Sequence, residues 1–340
     1  MHNIINYLKK IMLHSKTNFI QNVYLSAKAH HWSKLYSSVG GGKSKVCICP
    51  YKGTGDVYLA CALLSTYLSD QKKDTSVCVI GKSSANVVKL FEFENVFSLS
   101  QHDIDHLMTL VSFLGEEDLN AIILHPDPPN ARYGISEHLR NYNGLNFKDL
   151  FAAGIFNDVN LVCDIPSFDN CLNEVKDFFN KNKLLAGKTV IISPYVNTLG
   201  ALPAWFWIEL VDKLNSMGYT VCTNCGPNES PVYGTIKLDI PYAKLKMYYE
   251  FAGYFISSRN GLCDIISSFK MIKVIIYQPN LYWGCGGNID FFSLNSMGLC
   301  DDAIEIEYSG VEFLQLMEDV CDAITTPDHN TKREFKSARI

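Results

Sequence analysis

Two short apolar runs in the last third of the chain limit its fold more than any other feature. Residues 254–258 read Tyr-Phe-Ile-Ser-Ser and residues 271–279 read Met-Ile-Lys-Val-Ile-Ile-Tyr-Gln-Pro. Each is too short for a buried helix. The stretch between them begins Arg259-Asn260-Gly261-Leu262-Cys263-Asp264 and has room for one tight turn and one short helix. Two buried strands joined this way are parallel and the crossover is right-handed. Gly261 lets the backbone turn or approach a ligand closely. Arg259 stands just before the helix, so its guanidinium and the free helix N–H groups are expected to face one anion, such as a phosphate. The competing reading pairs Arg259 with Asp264 on the surface of an ordinary crossover.

The same alternation runs through most of the chain. Residues 46–49, 76–80, 96–99 and 120–124 are expected as strands, with helices over 57–68, 83–93 and 102–114. Residues 136–185 read as largely helical. A second series places strands at 189–193 and 219–223, helices at 203–217 and 242–252, the unit just described, and a last amphipathic helix at 311–324. Strands alternating with helices of ten or more residues predict an α/β fold with parallel, doubly wound sheets. At 340 residues the chain is long enough for two such domains. The expected division is a helical basic N-terminal extension over 1–44, a first Rossmann-like domain over 45–180, a second over 181–327, and a tail from 328. Sheets of this kind bind ligands beyond the carboxyl ends of their strands. The polar, proline-stiffened loop from His125 to Gly134 stands at such an end.

Charge is distributed unevenly. Residues 1–55 hold eight lysines and no acid, which leaves 22 basic against 35 acidic residues after them. An acidic body argues against nucleic acid as a partner. The first helix carries Ile4, Ile5, Leu8, Ile11 and Met12 at roughly helical spacing among lysines, so it either lies on the inner membrane leaflet or packs on the body. No apolar run approaches 20 residues and no secretory leader is evident. Six of the twelve cysteines, Cys47, Cys49, Cys61, Cys78, Cys163 and Cys222, fall inside apolar runs, where free cysteine behaves as a small hydrophobe, so a reducing cytoplasm is expected.

Several familiar motifs fail on inspection. Gly40-Gly41-Gly42-Lys43-Ser44 lacks the leading glycine of a P-loop and precedes a strand instead of following one. Gly53-Thr54-Gly55-Asp56 opens a helix after a strand, but Tyr58 stands where a dinucleotide fingerprint needs its third glycine. No acid ends the second strand; Gly81-Lys82-Ser83 stands there. Cys222 and Cys225 have CxxC spacing with no second pair to complete a zinc site. His102, His106, His125 and His138 are not spaced as a metal site or triad, and no metal or cofactor is expected. Trp205 and Trp207 lie in a helical apolar pattern that puts at least one in the core. Asp56 is either a helix cap or a carboxylate at the mouth of a cleft, able to take a proton from a hydroxyl.

The order of motifs resembles the bacterial lipopolysaccharide heptosyltransferases, glycosyltransferase family nine. Gly53-Thr54-Gly55-Asp56-Val57-Tyr58-Leu59 is similar to that family's Gly-Asp helix start. Ile191-Ile192-Ser193-Pro194, the Pro203-Ala204-Trp205 helix and Cys225-Gly226-Pro227-Asn228-Glu229 are similar to its later stations. Residues 257–265 occupy the place of its Asp-Thr-Gly-Leu-x-His segment. The resemblance spans about 45–325 and implies the GT-B fold, two Rossmann-like domains facing across a cleft with acceptor on the first and nucleotide sugar on the second. This chain departs from the pattern on the donor side. Arg259 replaces the family's acid, Asp264 its histidine and Tyr195 the glycine of its Pro-Gly station. Tyr195-Val196-Asn197-Thr198 also lacks the expected basic residue, so the sugar is left open.

The resemblance implies a metal-independent, inverting glycosyltransferase of bacterial surface polysaccharide synthesis, with Asp56 as base. Arg259 and the helix start at Asn260 and Gly261 would neutralise charge on the departing nucleoside diphosphate. Ser193, Tyr195, Gly226, Asp264 and Gln278 would line the donor pocket. Gly55, Arg132, Tyr133 and His138 are candidate contacts for a saccharide or lipid-linked acceptor. Two other classes stay open: an NADP-dependent oxidoreductase using Gly53–Asp56 and Lys82, and a non-catalytic polysaccharide-assembly subunit.

Overall fold

The structure is a computed structural model and describes Lys28 and residues 31–127, 145–196, 201–226, 228–278, 288–308 and 312–326. The first series of elements is β1 (Lys45–Cys49), α1 (Thr54–Leu68), β2 (Thr75–Ile80), α2 (Gly81–Lys89), β3 (Asn95–Leu99), α3 (Gln101–Leu114), α4 (Glu116–Leu119) and β4 (Ala121–Ile123). Its strands form one parallel sheet in the order β3-β2-β1-β4. Helices α5 (Phe147–Phe156) and α6 (Leu172–Asn182) follow.

The second series is β5 (Thr189–Ser193), α7 (Ala204–Ser216), β6 (Thr220–Asn224), β7 (Ile236–Leu238), α8 (Leu245–Ala252), β8 (Gly253–Ser258), α9 (Gly261–Ile266), β9 (Ile272–Tyr277), α10 (Asn288–Phe292), β10 (Ala303–Glu307) and α11 (Phe313–Thr325). Its six strands are all parallel, in the order β10-β9-β8-β5-β6-β7. Strands β1, β2, β5 and β9 are almost wholly buried. This is why they read as unbroken apolar runs and not as alternating ones.

Both sheets have a topological switch point, where the chain stops winding one way and starts the other. In the first it lies between β1 and β4, in the second between β5 and β8. Crevices at the carboxyl ends of such strand pairs are where open α/β sheets bind ligands. The first is bordered by Pro50 to Asp56 and by Leu124 to Asp127, the second by Ser193 to Tyr195 and by Ser258 to Gly261.

One apolar core joins the two sheets. It runs from Val57, Leu64 and Phe91 on the first side to Phe255, Ile265 and Phe269 on the second. A second core, with Phe206, Trp207 and Val320, fills the far face of the second sheet. A third covers the far face of the first sheet and includes Trp32 and Tyr36 from a helical segment at 31–38. The Tyr36 hydroxyl also donates to the Leu119 carbonyl. The described part of the N-terminal extension therefore packs on the body. Residues 1–27, which carry most of its amphipathic pattern, and the tail from 328 lie outside the described residues.

The structure corrects the helical expectation for 136–185 in one place. Helix α5 ends at Asn157, which adopts a left-handed conformation at φ 54°. Between α5 and α6 the chain forms neither helix nor strand, and Leu161, Cys163, Phe168 and Cys171 pack on the core. Its backbone donates from Asp164 to Ala62, from Ser167 to Leu90 and from Asp169 to Ala243. This single strap is thus bonded to α1, to the end of α2 and to the second sheet's layer. Helix α6 packs on α8: Glu174 meets Lys244 at 2.6 Å, and Phe179 meets Phe251 at 4.9 Å between ring centroids.

Candidate active site

The two switch points touch. Helix α1 begins at Thr54 and α9 at Gly261, and their first turns pack against one another across the cleft. A Cβ on Gly55 would stand 2.7 Å from the Gly261 Cα and 2.5 Å from Asp264 Oδ2; one on Gly261 would overlap the Gly55 amide. Both positions accept glycine alone, because backbone meets backbone there. Gly55 was expected at the acceptor and Gly261 at the donor phosphate. The structure places each against the other.

Asp56 lies in the first turn of α1, partly buried. It is not the helix cap: that position is Gly53, with no side-chain cap hydrogen bond. The carboxyl of Asp56 is pushed up to about 6, first by burial and then by the charge of Asp264, with Arg259 opposing. Such a shift readies a carboxylate to accept a proton near neutral pH.

Arg259 follows β8 and is buried, 7 % exposed. Its fork grips Asp264, with Nη2 at 2.6 Å from Oδ1 and Nη1 at 3.0 Å from Oδ2. Nη1 also donates to the Asn260 carbonyl at 2.7 Å, and Nε to the Phe292 carbonyl at 3.0 Å. The expectation of a free fork facing a phosphate therefore needs correction, since these donors are spent inside the protein. The surface pairing with Asp264 needs the opposite correction: the pair exists, but it is buried. Burial raises the Asp264 carboxyl and Arg259 pulls against that rise. The Phe292 carbonyl is itself steadied by the Tyr277 hydroxyl, which also contacts Glu305 at 2.6 Å.

Asn260 organises the second crevice. Its side-chain oxygen caps α9 through the Leu262 amide at 3.0 Å. Its amide nitrogen lies within 3.3 Å of Ser193 Oγ, the Tyr195 carbonyl and Ser257 Oγ, tying the end of β8 to the end of β5. Ser193 is buried, while Tyr195 is exposed and donates to the Ser230 carbonyl. Gly226, beyond β6, gives its N–H to Glu229 at 2.6 Å. Gln278 directly follows β9. Five of the expected donor-side residues, Ser193, Tyr195, Gly226, Asn260 and Gln278, thus gather at the carboxyl ends of neighbouring strands. Asn260 links two of those ends, β5 and β8, through direct bonds.

On the acceptor side Arg132, Tyr133 and His138 lie outside the described residues. The first crevice holds two groups at the ends of β1 and β4. Tyr51 stacks on His125 at 5.3 Å, and His125 accepts the Asp127 N–H on Nδ1 at 2.9 Å, leaving its own proton on Nε2. Burial lowers the imidazole's proton affinity. A cavity of about 250 Å³ opens beside His125, between Glu116 and Ile155 on the outer side of β4. Tyr51 escaped sequence reasoning; the available signal was its position one residue past the Pro50 that ends the first strand.

Among the described residues no three His, Cys, Asp or Glu side chains are grouped to hold a metal ion, and no helix is long and apolar enough to cross a membrane.

No protein-family model matches the chain, and no curated protein matches it in sequence. Solved structures do match in shape. The E. coli ADP-heptose lipopolysaccharide heptosyltransferase II is 14 % identical with a TM-score of 0.55, over 82 % of this chain and 98 % of that one. The E. coli heptosyltransferase WaaC with ADP is 14 % identical with a TM-score of 0.53, over the same shares. A family-nine glycosyltransferase from Veillonella parvula is 12 % identical with a TM-score of 0.50, over 84 % of this chain and 91 % of that one. Two parallel Rossmann-like sheets meeting at their switch points give this chain the GT-B fold of those heptosyltransferases.

Proposed function

We propose that the protein is a glycosyltransferase of bacterial surface polysaccharide synthesis, lipopolysaccharide or capsule. It would move a sugar from a nucleotide-sugar donor to a saccharide or lipid-linked acceptor without a metal. The observation that carries this reading is Asp56, a carboxylate of raised proton affinity at one switch point, beside the Gly55 that meets Gly261 at the switch point of the opposite sheet. In this reading Asp56 takes the proton of an acceptor hydroxyl as its oxygen attacks the anomeric carbon. The bond from that carbon to the diphosphate breaks, the nucleoside diphosphate leaves with the electron pair, and the configuration inverts. The donor lies over the ends of β5 and β8, near Ser193, Tyr195 and Asn260. Arg132, Tyr133 and His138 are retained as acceptor contacts.

Arg259 takes a revised part in this scheme. With its fork on Asp264, it balances charge from behind the site instead of gripping the phosphates. Two measurements test the proposal: thermal stabilisation by a panel of nucleoside diphosphates, and release of the diphosphate from nucleotide sugars offered with saccharide acceptors. Stabilisation by one nucleotide class and turnover that survives EDTA are expected. Turnover abolished by chelation and restored by manganese or magnesium would refute the metal-independent assignment.

A further inference from the structure

Asp264 and Arg259 follow a strand of the second sheet, yet Asp264 reaches the first turn of the helix that carries Asp56. Asp264 is 5 % exposed, and its carboxylate lies against Gly55, the residue next to Asp56. Among the described residues, Asp264 and Arg259 act on Asp56 from across the cleft, and Asp56 acts on Cys49 and Tyr51 at the end of β1. Burial holds the last two well above their ordinary values, so they are neutral at working pH. The charges that reach Asp56 in this group therefore come from the opposite domain.

We infer that Asp264, held by Arg259, is a positioning residue for the base, and that it fulfils this role only while the Gly55–Gly261 contact is closed. The inference rests on the reading of Asp56 as base. Separating the two helix starts would let water reach Asp56 and carry the negative charge of Asp264 away from it. Water lowers the proton affinity of Asp56, and so does the loss of Asp264, whose influence outweighs the opposing one of Arg259 that leaves with it. The base would then be at full strength only when the domain assigned to the donor is docked on the domain assigned to the acceptor. Hydrolysis or stray proton transfer in the open enzyme would meet a weaker base.

The test measures Asp56 directly, by carboxyl carbon NMR titration in the full-length protein, with the resonance assigned by its loss in Asp56→Asn. Asp264→Asn keeps an oxygen for Arg259 but removes the negative charge. The titration of Asp56 and the acid limb of kcat/KM are both expected to fall by about one pH unit, a tenfold change in proton affinity. Because Asp264→Asn leaves Arg259 buried beside a neutral partner, Gly261→Ala provides an independent route. It keeps every charge and forces the helix starts apart, and the titration should move in the same direction. A purely structural role for Asp264 would lower the melting temperature and leave the titration in place. Titrations unmoved in both variants would overturn the inference. A parent-like turnover of Asp56→Asn would instead mark the base assignment as the failure, and the NMR titration distinguishes that case because it needs no turnover.

Discussion

Replacing Asp56 with Asn should make the protein more stable and less active at once. The substitution keeps shape and polarity but cannot ionise. In the folded protein the Asp56 carboxyl is raised from 3.8 to about 6. At 1.36 kcal/mol per unit this corresponds to roughly 3 kcal/mol. The sign follows from linkage. A group whose folded value lies above its unfolded value contributes nothing adverse at low pH, where both states hold the proton. Stability is lost as pH rises from about 4 through about 6, and the loss is then constant. Asn escapes it. The difference in stability between variant and parent should therefore be near zero at pH 4 and grow to about 3 kcal/mol at pH 7. In a chain of this size that is a rise of about 4 °C in melting temperature. Turnover at pH 7 should fall ~100- to 10,000-fold, the usual contribution of a general base. Scanning fluorimetry from pH 4 to 8 reads the first effect, and release of nucleoside diphosphate reads the second. A stability difference that stays flat across this range, or turnover within threefold of the parent, would refute the reasoning.

Two further predictions follow from the packing. Arg259→Met should cost about 3–5 kcal/mol in urea denaturation, because it leaves Asp264 buried without its partner, whereas adding Asp264→Leu to it should recover much of that loss. A single variant as stable as the parent would show that the pair is not buried as described. Trp207, 2 % exposed, should cost about 3–5 kcal/mol when replaced by Ala, against about 1 kcal/mol for Trp205, which is 43 % exposed. Equal losses at the two positions would contradict the orientation of α7.

Much of this architecture was legible because parallel strands buried on both faces leave unbroken apolar runs. The first four strands were expected within two residues of where they lie, and β5, β8 and β9 were as plain. The edge strands β7 and β10 carry little signal. Ile236–Leu238 is three residues long, and Ala303–Glu307 alternates isoleucine with glutamate as a half-exposed strand does. The strap between α5 and α6 was hidden for another reason. Its apolar content suits a helix, and its backbone bonds to α1, to the end of α2 and to Ala243 hold it out of one.

At the site, residue types and rough positions were legible, but partnerships were not. Asp56 was visible as the first acid after a glycine turn. Its rank within the helix was not, because α1 begins three residues before the expected start. Arg259 and Asp264 were visible as opposite charges five residues apart. That the intervening turn folds the guanidinium back onto the carboxylate depends on Asn260 capping α9 and on Phe292 offering a carbonyl from a distant element. No local pattern contains that information.

The contact between Gly55 and Gly261 has a consequence for how such a sequence can vary. Most tight contacts in a protein interior tolerate change because a larger residue on one side can be matched by a smaller one on the other. Here each partner is already the smallest residue there is, so neither can yield to the other. Any added side chain must be absorbed by moving a backbone, and the two backbones available carry Asp56 and Asp264. Drift at either position is therefore transmitted directly to the spacing of the two carboxylates, with no neighbouring substitution able to intercept it.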